Sequence, residues 1–474
     1  MATYEPAERG ADVLFEVLDE HLATFLDETE ASGRSVPRWV RAELTDYLAC
    51  GIVRHGFTLL RCLGCRTSRV VAFSCKGRAF CPSCCGRRMN STAAHLVDRV
   101  FPRVPVRQWV LSLPFALRFR LAWDGELCGA VLASFIGALQ AFYRAHTGQA
   151  SGQVGAVTFQ QLFGSSMGAN LHFHSLVTDG LFTLDAAGGV TFHPAPALTT
   201  ADVQAVVDEV HRRVVRLLRR RGLLDEADEL LQHDEDMETD EDAERVLLGA
   251  SVAGRVALGL RAGKRPRALR GPPRPHRPLP PRCAVAGGFN LHADVRVAAH
   301  DVQALERLCR YIARPPISHD RLSRTPEGDV VLTFKRAWDD GTRAHVLTPL
   351  EFIARLAAIV PRPRRHLLHL HGVFAPAAPL RSRVVTAPPP APERQPLLPP
   401  SVLVPRDSRW IPWSDLLWRV FDVEGRACPN CGRPMEVHAV VQGVWATRRV
   451  LASLARPSAA PLLLPARAPP AATA

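Results

Sequence analysis

The sequence predicts an α+β protein: a central antiparallel sheet with helices packed on it, preceded by a cysteine-rich N-terminal domain. Three observations point there. Residues 154 to 193 hold β-type runs, VGAVTFQQLFG, NLHFHSLVTDG and LFTLDAAGGVTFH, separated by Gly, Asn and Asp turn signals. Apolar residues recur at three-and-four spacing on both sides of that centre, as helices packing one face require. Two C-x2-C pairs stand close together between residues 50 and 90.

Taken in order, DVLFEVLDEHLATFLDE and VPRWVRAELTDYLAC make residues 11 to 50 helical. VRQWVLSLPFALRFRLAW reads as a strand running into a helix, and GAVLASFIGALQAFYRAH as a helix. Another helix, at about 200 to 221, begins at a Thr-type cap and stops at Gly222. A β-type run, GGFNLHADVRV, an amphipathic helix near 300 to 314 and the hairpin VVLTFKRAWDDGTRAHVLT follow. The expected organisation is a helical plus cysteine-rich domain over 1–100 and a main domain over 101–375. A Pro/Ala-rich linker (376–407), a small module with one C-x2-C (408–455) and a disordered tail (456–474) complete it. Within the main domain, an acidic insertion (225–245) reads as a solvated segment, and a basic Pro-rich loop (263–282) as a spacer or a DNA contact.

The chain has 474 residues and a net charge of +13, nearly all of the positive charge being arginine. That balance suits a polyanionic partner, although arginine richness also follows from biased genomic composition. No run of 18 uninterrupted apolar residues occurs, and the acidic N-terminus lacks the features of a signal peptide. The cytoplasm is therefore the expected compartment, where clustered cysteines bind metal in preference to forming disulfides.

Cys62-x2-Cys65 and Cys81-x2-Cys84 are fifteen residues apart. Each pair can supply two corners of a tetrahedron, so the spacing predicts a structural Zn2+ on Cys62, Cys65, Cys81 and Cys84. Cys50, Cys75 and Cys85 are surplus, and any of them can replace one of the four. A deaminase zinc site is excluded, because no H-x-E stands upstream of a P-C-x-x-C. Arg61, Arg66, Arg69, Lys76, Arg78, Arg87 and Arg88 surround the knuckles and suit a nucleic-acid-facing module. The C-terminal CPNCGRPMEV offers Cys428 and Cys431, with His438, as a candidate second zinc site of which one knuckle is visible.

In NLHFHSLVTDG, strand alternation points His172 and His174 to one face and Leu171 and Phe173 to the other. Two imidazoles on one face can share a metal ion or bind nothing. The preceding strand carries Gln160 and Gln161, and register decides which amide faces the histidines. Two nitrogens and an oxygen leave room for a phosphate oxygen and water, which suits Mg2+ or Mn2+. Downstream, DVQALERLCRYIARPPISHDRL places Val302, Leu305, Leu308 and Ile312 on one helix face. Tyr311 lies off that face beside Arg307 and Arg314, and Pro315 and Pro316 end the helix. Tyr311 is either an ordinary surface tyrosine or, in that basic setting, a nucleophile.

These stretches together, with YLACGIVRHGF, LERLCRYIARPPIS, HVLTPLEFIARLAAIVPRPR and HGVFAP, occur in one order over residues 36 to 440. The chain resembles the rolling-circle insertion-sequence transposases of the HUH class, the IS91 type and its common-region relatives. The resemblance implies a HUH endonuclease-like sheet, a divalent metal (Mg2+ or Mn2+) on His172 and His174, and Gln161 in place of Gln160 as the third ligand. It also implies Tyr311 as nucleophile. Where some members carry a second tyrosine, this chain has Arg307 or Pro315, which suggests a single-tyrosine enzyme. The expected activity is nicking and rejoining of single-stranded DNA through a 5′-phosphotyrosine, moving an insertion sequence by a rolling-circle-like route. The expected partners are single-stranded or hairpin DNA at element ends, and target DNA, at the bacterial nucleoid. The other readings are a non-catalytic zinc-dependent DNA-binding protein and a metal hydrolase using water.

Overall fold

The computed structural model describes residues 12–225, 230, 243–275, 278–385, 413–421 and 425–454. Most of the acidic insertion, residues 276–277 of the basic loop, 386–407 of the linker and the tail 456–474 lie outside the described residues.

The architecture is α+β, and its main sheet is antiparallel throughout. Its order is Leu368–Gly372, Gly155–Phe163, Ala169–Thr178, Val106–Ser112, Phe289–His292 and Cys283–Ala286, with Arg296–Val297 also pairing with Val106–Ser112. The central strand Ala169–Thr178 has Gly155–Phe163 on one side and Val106–Ser112 on the other, so both of its edges are paired, and buried apolar residues line each of its faces.

One face packs against the helices Gly125–Thr147 and Thr200–Arg220, burying Trp109, Leu111, Phe173, Val131, Phe135 and Val207 in one cluster. The helix Gly125–Thr147 is long and apolar enough to span a membrane by length and composition. Here Leu127, Val131, Phe135 and Leu139 bury it in this core instead. Thr199 and Asp202 form a reciprocal capping box that starts Thr200–Arg220.

The other face takes the helix Val302–Ile312, whose start is fixed by Asp301 accepting from Ala304 N at 2.8 Å. Leu305, Leu308, Cys309 and Ile312 pack there with Val157, Phe159 and Leu176 of the sheet and with Leu96 and Val97 of the helix Pro82–Arg99. Arg419, on the helix Trp413–Phe421, ties these two helices together through Asp98 (2.6 Å) and Glu306 (2.7 Å).

Two boundaries expected from sequence do not separate the packing. The helices Val13–Ala31 and Arg38–Ala49 share a core with Pro349–Ala358, joining Leu14, Phe25 and Leu44 to Phe352 and Leu356. The C-terminal strand Met435–Val441 pairs with Phe57–Cys62, which also pairs with Ser68–Ala72, in a three-stranded sheet. The small C-terminal module is thus built into the N-terminal one.

Candidate active site

The cysteines fall into two clusters, and this corrects the grouping expected from spacing. Cys50, Cys75, Cys81 and Cys84 form one, and Cys62, Cys65, Cys428 and Cys431 the other, with all sulfurs of a cluster within 4.8 Å of one another. The cause is topological. Pairing of Phe57–Cys62 with Met435–Val441 sets the Cys62–Cys65 turn beside the Cys428–Cys431 turn. Cys81 and Cys84 stand at the start of the helix Pro82–Arg99, facing Cys50 at the end of Arg38–Ala49, with Cys50 Sγ 3.7 Å from both sulfurs. Cys75 Sγ is 3.4 Å from Cys84 Sγ and accepts from Gly77 N.

In that first cluster the neighbouring sulfurs, Cys50 first, hold Cys84 toward the thiolate, as its place at a helix N-terminus also favours, while Cys50 and burial push Cys81 up. The formerly surplus Cys50 and Cys75 are therefore members of a cluster that fits Zn2+. Cys85 turns away toward Gly77 O, and burial pushes its thiol up to about 12. His438 sits at a bulge of the strand Met435–Val441, exposed and outside the second cluster.

On the sheet face beneath the helix Val302–Ile312, register puts Gln161 opposite His172 and Phe159 opposite His174. Gln160 faces the other side, its Nε2 3.0 Å from Nε2 of His369. The two histidine rings are 4.9 Å apart, and the ring of His174 is 6.2 Å from that of Tyr311. Gln161 Nε2 donates to Ile312 O at 2.8 Å, so the glutamine strand holds the end of the tyrosine helix directly.

The donor atoms fit a cation. Gln161 Oε1 and His174 Nε2 are buried with no hydrogen-bond partner, a costly arrangement unless something else satisfies them. Nδ1 of His172 donates to Asn170 O at 2.7 Å, which leaves its Nε2 lone pair free. Burial, then Arg314 and Arg118, hold His172 below its ordinary value against the opposing bond to Asn170. Burial first, then His172 and Arg314, push His174 down to about 2. Both imidazoles are neutral at pH 7, the form that ligates metal.

Nδ1 of His174 lies 2.9 Å from the side-chain amide of Gln108, on the neighbouring strand Val106–Ser112. The amide atom placed at this contact is Nε2, which donates to Nδ1; turning the amide by 180° brings Oε1 to the same position, where it accepts the Nδ1 proton and leaves His174 Nε2 free to ligate. Sequence reasoning missed Gln108. The available signal was a polar side chain next to Arg107 in the strand run VRQWVLS, where the apolar residues mark a buried strand.

Tyr311 is 49% exposed, whereas Tyr47 and Tyr143 are fully buried and bonded to Asp12 and Asp179. Among the described residues it is the one tyrosine open to a macromolecular substrate. Arg314 lies over its ring. Arg307 is exposed one turn before it, without a contact to the ring among the described residues.

Residues 155–382, which hold Gln161, both histidines and Tyr311, match a family described as "Putative transposase". Residues 17–113, which hold the whole first cysteine cluster, match the transposase zinc-binding domain of the IS91 family. The chain belongs to the IS91-like transposases. No curated protein and no solved structure matches it.

For this transposase, DNA is the partner and zinc the metal of the N-terminal domain. Of the basic residues flagged around the cysteines, Arg61, Arg66, Lys76, Arg78 and Arg88 are exposed and Arg87 half-buried. Two of them also brace the domain: Arg78 donates to Arg365 O and Arg88 to Lys76 O. Asp179, read from sequence as part of a turn, instead anchors a buried network. It accepts two bonds from Arg107 (2.9 and 3.1 Å), one from Arg296 (2.7 Å) and one from Tyr143 Oη (3.1 Å).

Proposed function

We propose that this transposase nicks and rejoins single-stranded DNA at element ends through a 5′-phosphotyrosine on Tyr311, with one tyrosine per chain, on a HUH endonuclease-like sheet. The observation that carries the reading is the meeting of an exposed tyrosine with His172, His174 and Gln161, two of whose buried donor atoms lack partners.

His172, His174 and Gln161 would hold a divalent cation, Mg2+ or Mn2+, which when bound would supply Lewis-acid polarisation of the scissile phosphate. The protein does the rest. Gln161 holds the metal-side face and the tyrosine helix in one frame through its bond to Ile312 O. Tyr311 Oη loses its proton and forms a bond to phosphorus; the P–O3′ bond breaks and the 3′ oxygen takes up a proton. Arg314, over the ring, and Arg307, on the same side of the helix, hold the backbone phosphate. The phosphotyrosine keeps the phosphodiester's energy, so a 3′ hydroxyl reverses the step and joins strands. This supports a rolling-circle-like route for moving an insertion sequence. Exposed Arg61, Arg66, Lys76, Arg78 and Arg88, with Arg87, extend the basic surface along which single-stranded or hairpin DNA is held.

The test incubates the protein with single-stranded oligonucleotides from its element's ends plus Mn2+ or Mg2+. The expected result is a covalent protein–DNA species absent from Tyr311→Phe, which still binds DNA. Cleaved ends without attached protein would indicate a water-using hydrolase. Binding without cleavage on functional ends would indicate a non-catalytic DNA-binding protein.

A further inference from the structure

We propose that Cys62, Cys65, Cys428 and Cys431 bind a second structural zinc, which staples the C-terminal segment to the N-terminal domain. Cys428 and Cys431 lie outside both stretches that match transposase families, so the site is completed by a part of the chain that neither accounts for.

The geometry is that of two matched knuckles. In the first, Cys62 N donates to Thr67 O (2.9 Å) and Arg66 N to Cys62 O (3.2 Å). In the second, Cys428 N donates to Arg433 O (2.8 Å) and Gly432 N to Cys428 O (2.9 Å). The residue after the second cysteine is left-handed in both, Arg66 with φ 61° and Gly432 with φ 69°. A non-glycine residue rarely adopts that conformation, so Arg66 marks a turn held by something beyond local preference. Each knuckle turns its two sulfurs toward the other: Cys62 Sγ is 3.5 Å from Cys431 Sγ, and Cys65 Sγ is 3.5 Å from Cys428 Sγ. Four sulfurs at about 2.3 Å from a tetrahedral zinc lie about 3.8 Å apart, close to what is seen. Gly64 N, 3.3 Å from Cys62 Sγ, supplies the kind of N–H that supports a metal-bound thiolate.

The site also has a mechanical position. The strand Met435–Val441 leaves it along Phe57–Cys62, and the helix Trp413–Phe421 precedes it, with Arg419 holding Asp98 and Glu306. Glu306 is on the helix that carries Tyr311. Closing the knuckles with one ion therefore fixes one end of a segment whose other end Arg419 holds to the tyrosine helix.

The experiment measures zinc per chain by elemental analysis of full-length protein. The expected values are two for the native chain and one for Cys428→Ser/Cys431→Ser. Cys62→Ser/Cys65→Ser should also give one, and the quadruple variant still one, because both pairs empty the same site. A native chain with one zinc, or a Cys428/Cys431 variant that keeps two, overturns the proposal. A second measurement needs no variant. Cys65 and Cys431 are exposed, so burial cannot shield them from iodoacetamide. They should stay unmodified in native protein until a chelator is added. Immediate alkylation overturns the proposal, as does a mass showing disulfides in their place.

Discussion

The guanidinium carbon of Arg314 sits 4.1 Å from the centre of the Tyr311 ring, three residues away in sequence and beyond the last turn of the helix that carries the tyrosine. The stack orients the ring at the edge of the histidine face, and its energy sets the first prediction. Such a contact is worth about 0.5–2 kcal/mol, so Arg314→Ala should slow covalent adduct formation by roughly 2- to 30-fold. Lysine, lacking the planar group, should recover little of this. Single-turnover adduct formation is the measurement, and an unchanged rate in Arg314→Ala would remove the stack from the mechanism.

Gln108 touches His174 rather than the reacting atoms, so it acts as a positioning residue. Gln108→Leu should weaken the divalent metal by about 10- to 100-fold, in keeping with other residues that orient a ligating histidine. Mn2+ titration followed by electron paramagnetic resonance reads this directly. Saturating Mn2+ should restore most of the nicking rate; a variant with native Mn2+ affinity would show that Gln108 has only a packing role.

Asp179 and Arg107 are both nearly fully buried. Removing the carboxylate leaves a buried guanidinium uncompensated, which typically costs about 3–5 kcal/mol. Urea unfolding of Asp179→Asn should show a loss of this size. Arg107→Met combined with Asp179→Leu should lose less than the single change, since no buried charge is stranded and Arg296, which also loses its partner, is exposed enough to be solvated. Equal losses would mean the network contributes through packing alone.

His345 and His371 give the fold a pH dependence of definite sign. Burial is the first cause in each; Arg355 adds to it at His345 and His369 at His371, and both are held down to about 4. Above pH 6.5 both are neutral whether the chain is folded or not. Between 6.5 and 4 the unfolded chain takes up the protons and the folded one does not, so stability falls as pH falls, by at most about 1.4 kcal/mol per pH unit for each histidine. Urea midpoints at pH 7.5, 6 and 5 test this. Replacing both residues with asparagine should lessen the slope and leave the share of His172 and His174, which has the same sign; an unchanged slope would assign it wholly to other groups.

Much of the fold was legible because periodicity and turn chemistry agreed. The Thr199 cap, the stop at Gly222 and the amphipathic face of Val302–Ile312 all reflect local rules. The meeting of Gln161, the histidines and Tyr311 was not decided by local pattern, which left Gln160 and Gln161 both open and Tyr311 an ordinary surface residue or a nucleophile; the family resemblance alone chose between them. The cysteine grouping was not legible from spacing. A C-x2-C pair specifies two corners of a tetrahedron but says nothing of which other pair supplies the rest. That choice was made by a strand pairing between residues about 370 apart, for which no local pattern exists. Gln108 was invisible for another reason, since its role depends on a diagonal contact across strands.

The C-terminal return also orders events in time. Cys428 is made 363 residues after Cys65, which at about 5–20 residues per second is roughly 20–70 s of synthesis. Until then the N-terminal sheet lacks an edge strand and the helix carrying Tyr311 lacks its Arg419 brace. A chain whose translation stops early would hold every residue of the nicking site and still miss the parts that steady it. Assembly is thereby reserved for transposase that has been read past Cys431 and the strand that follows it.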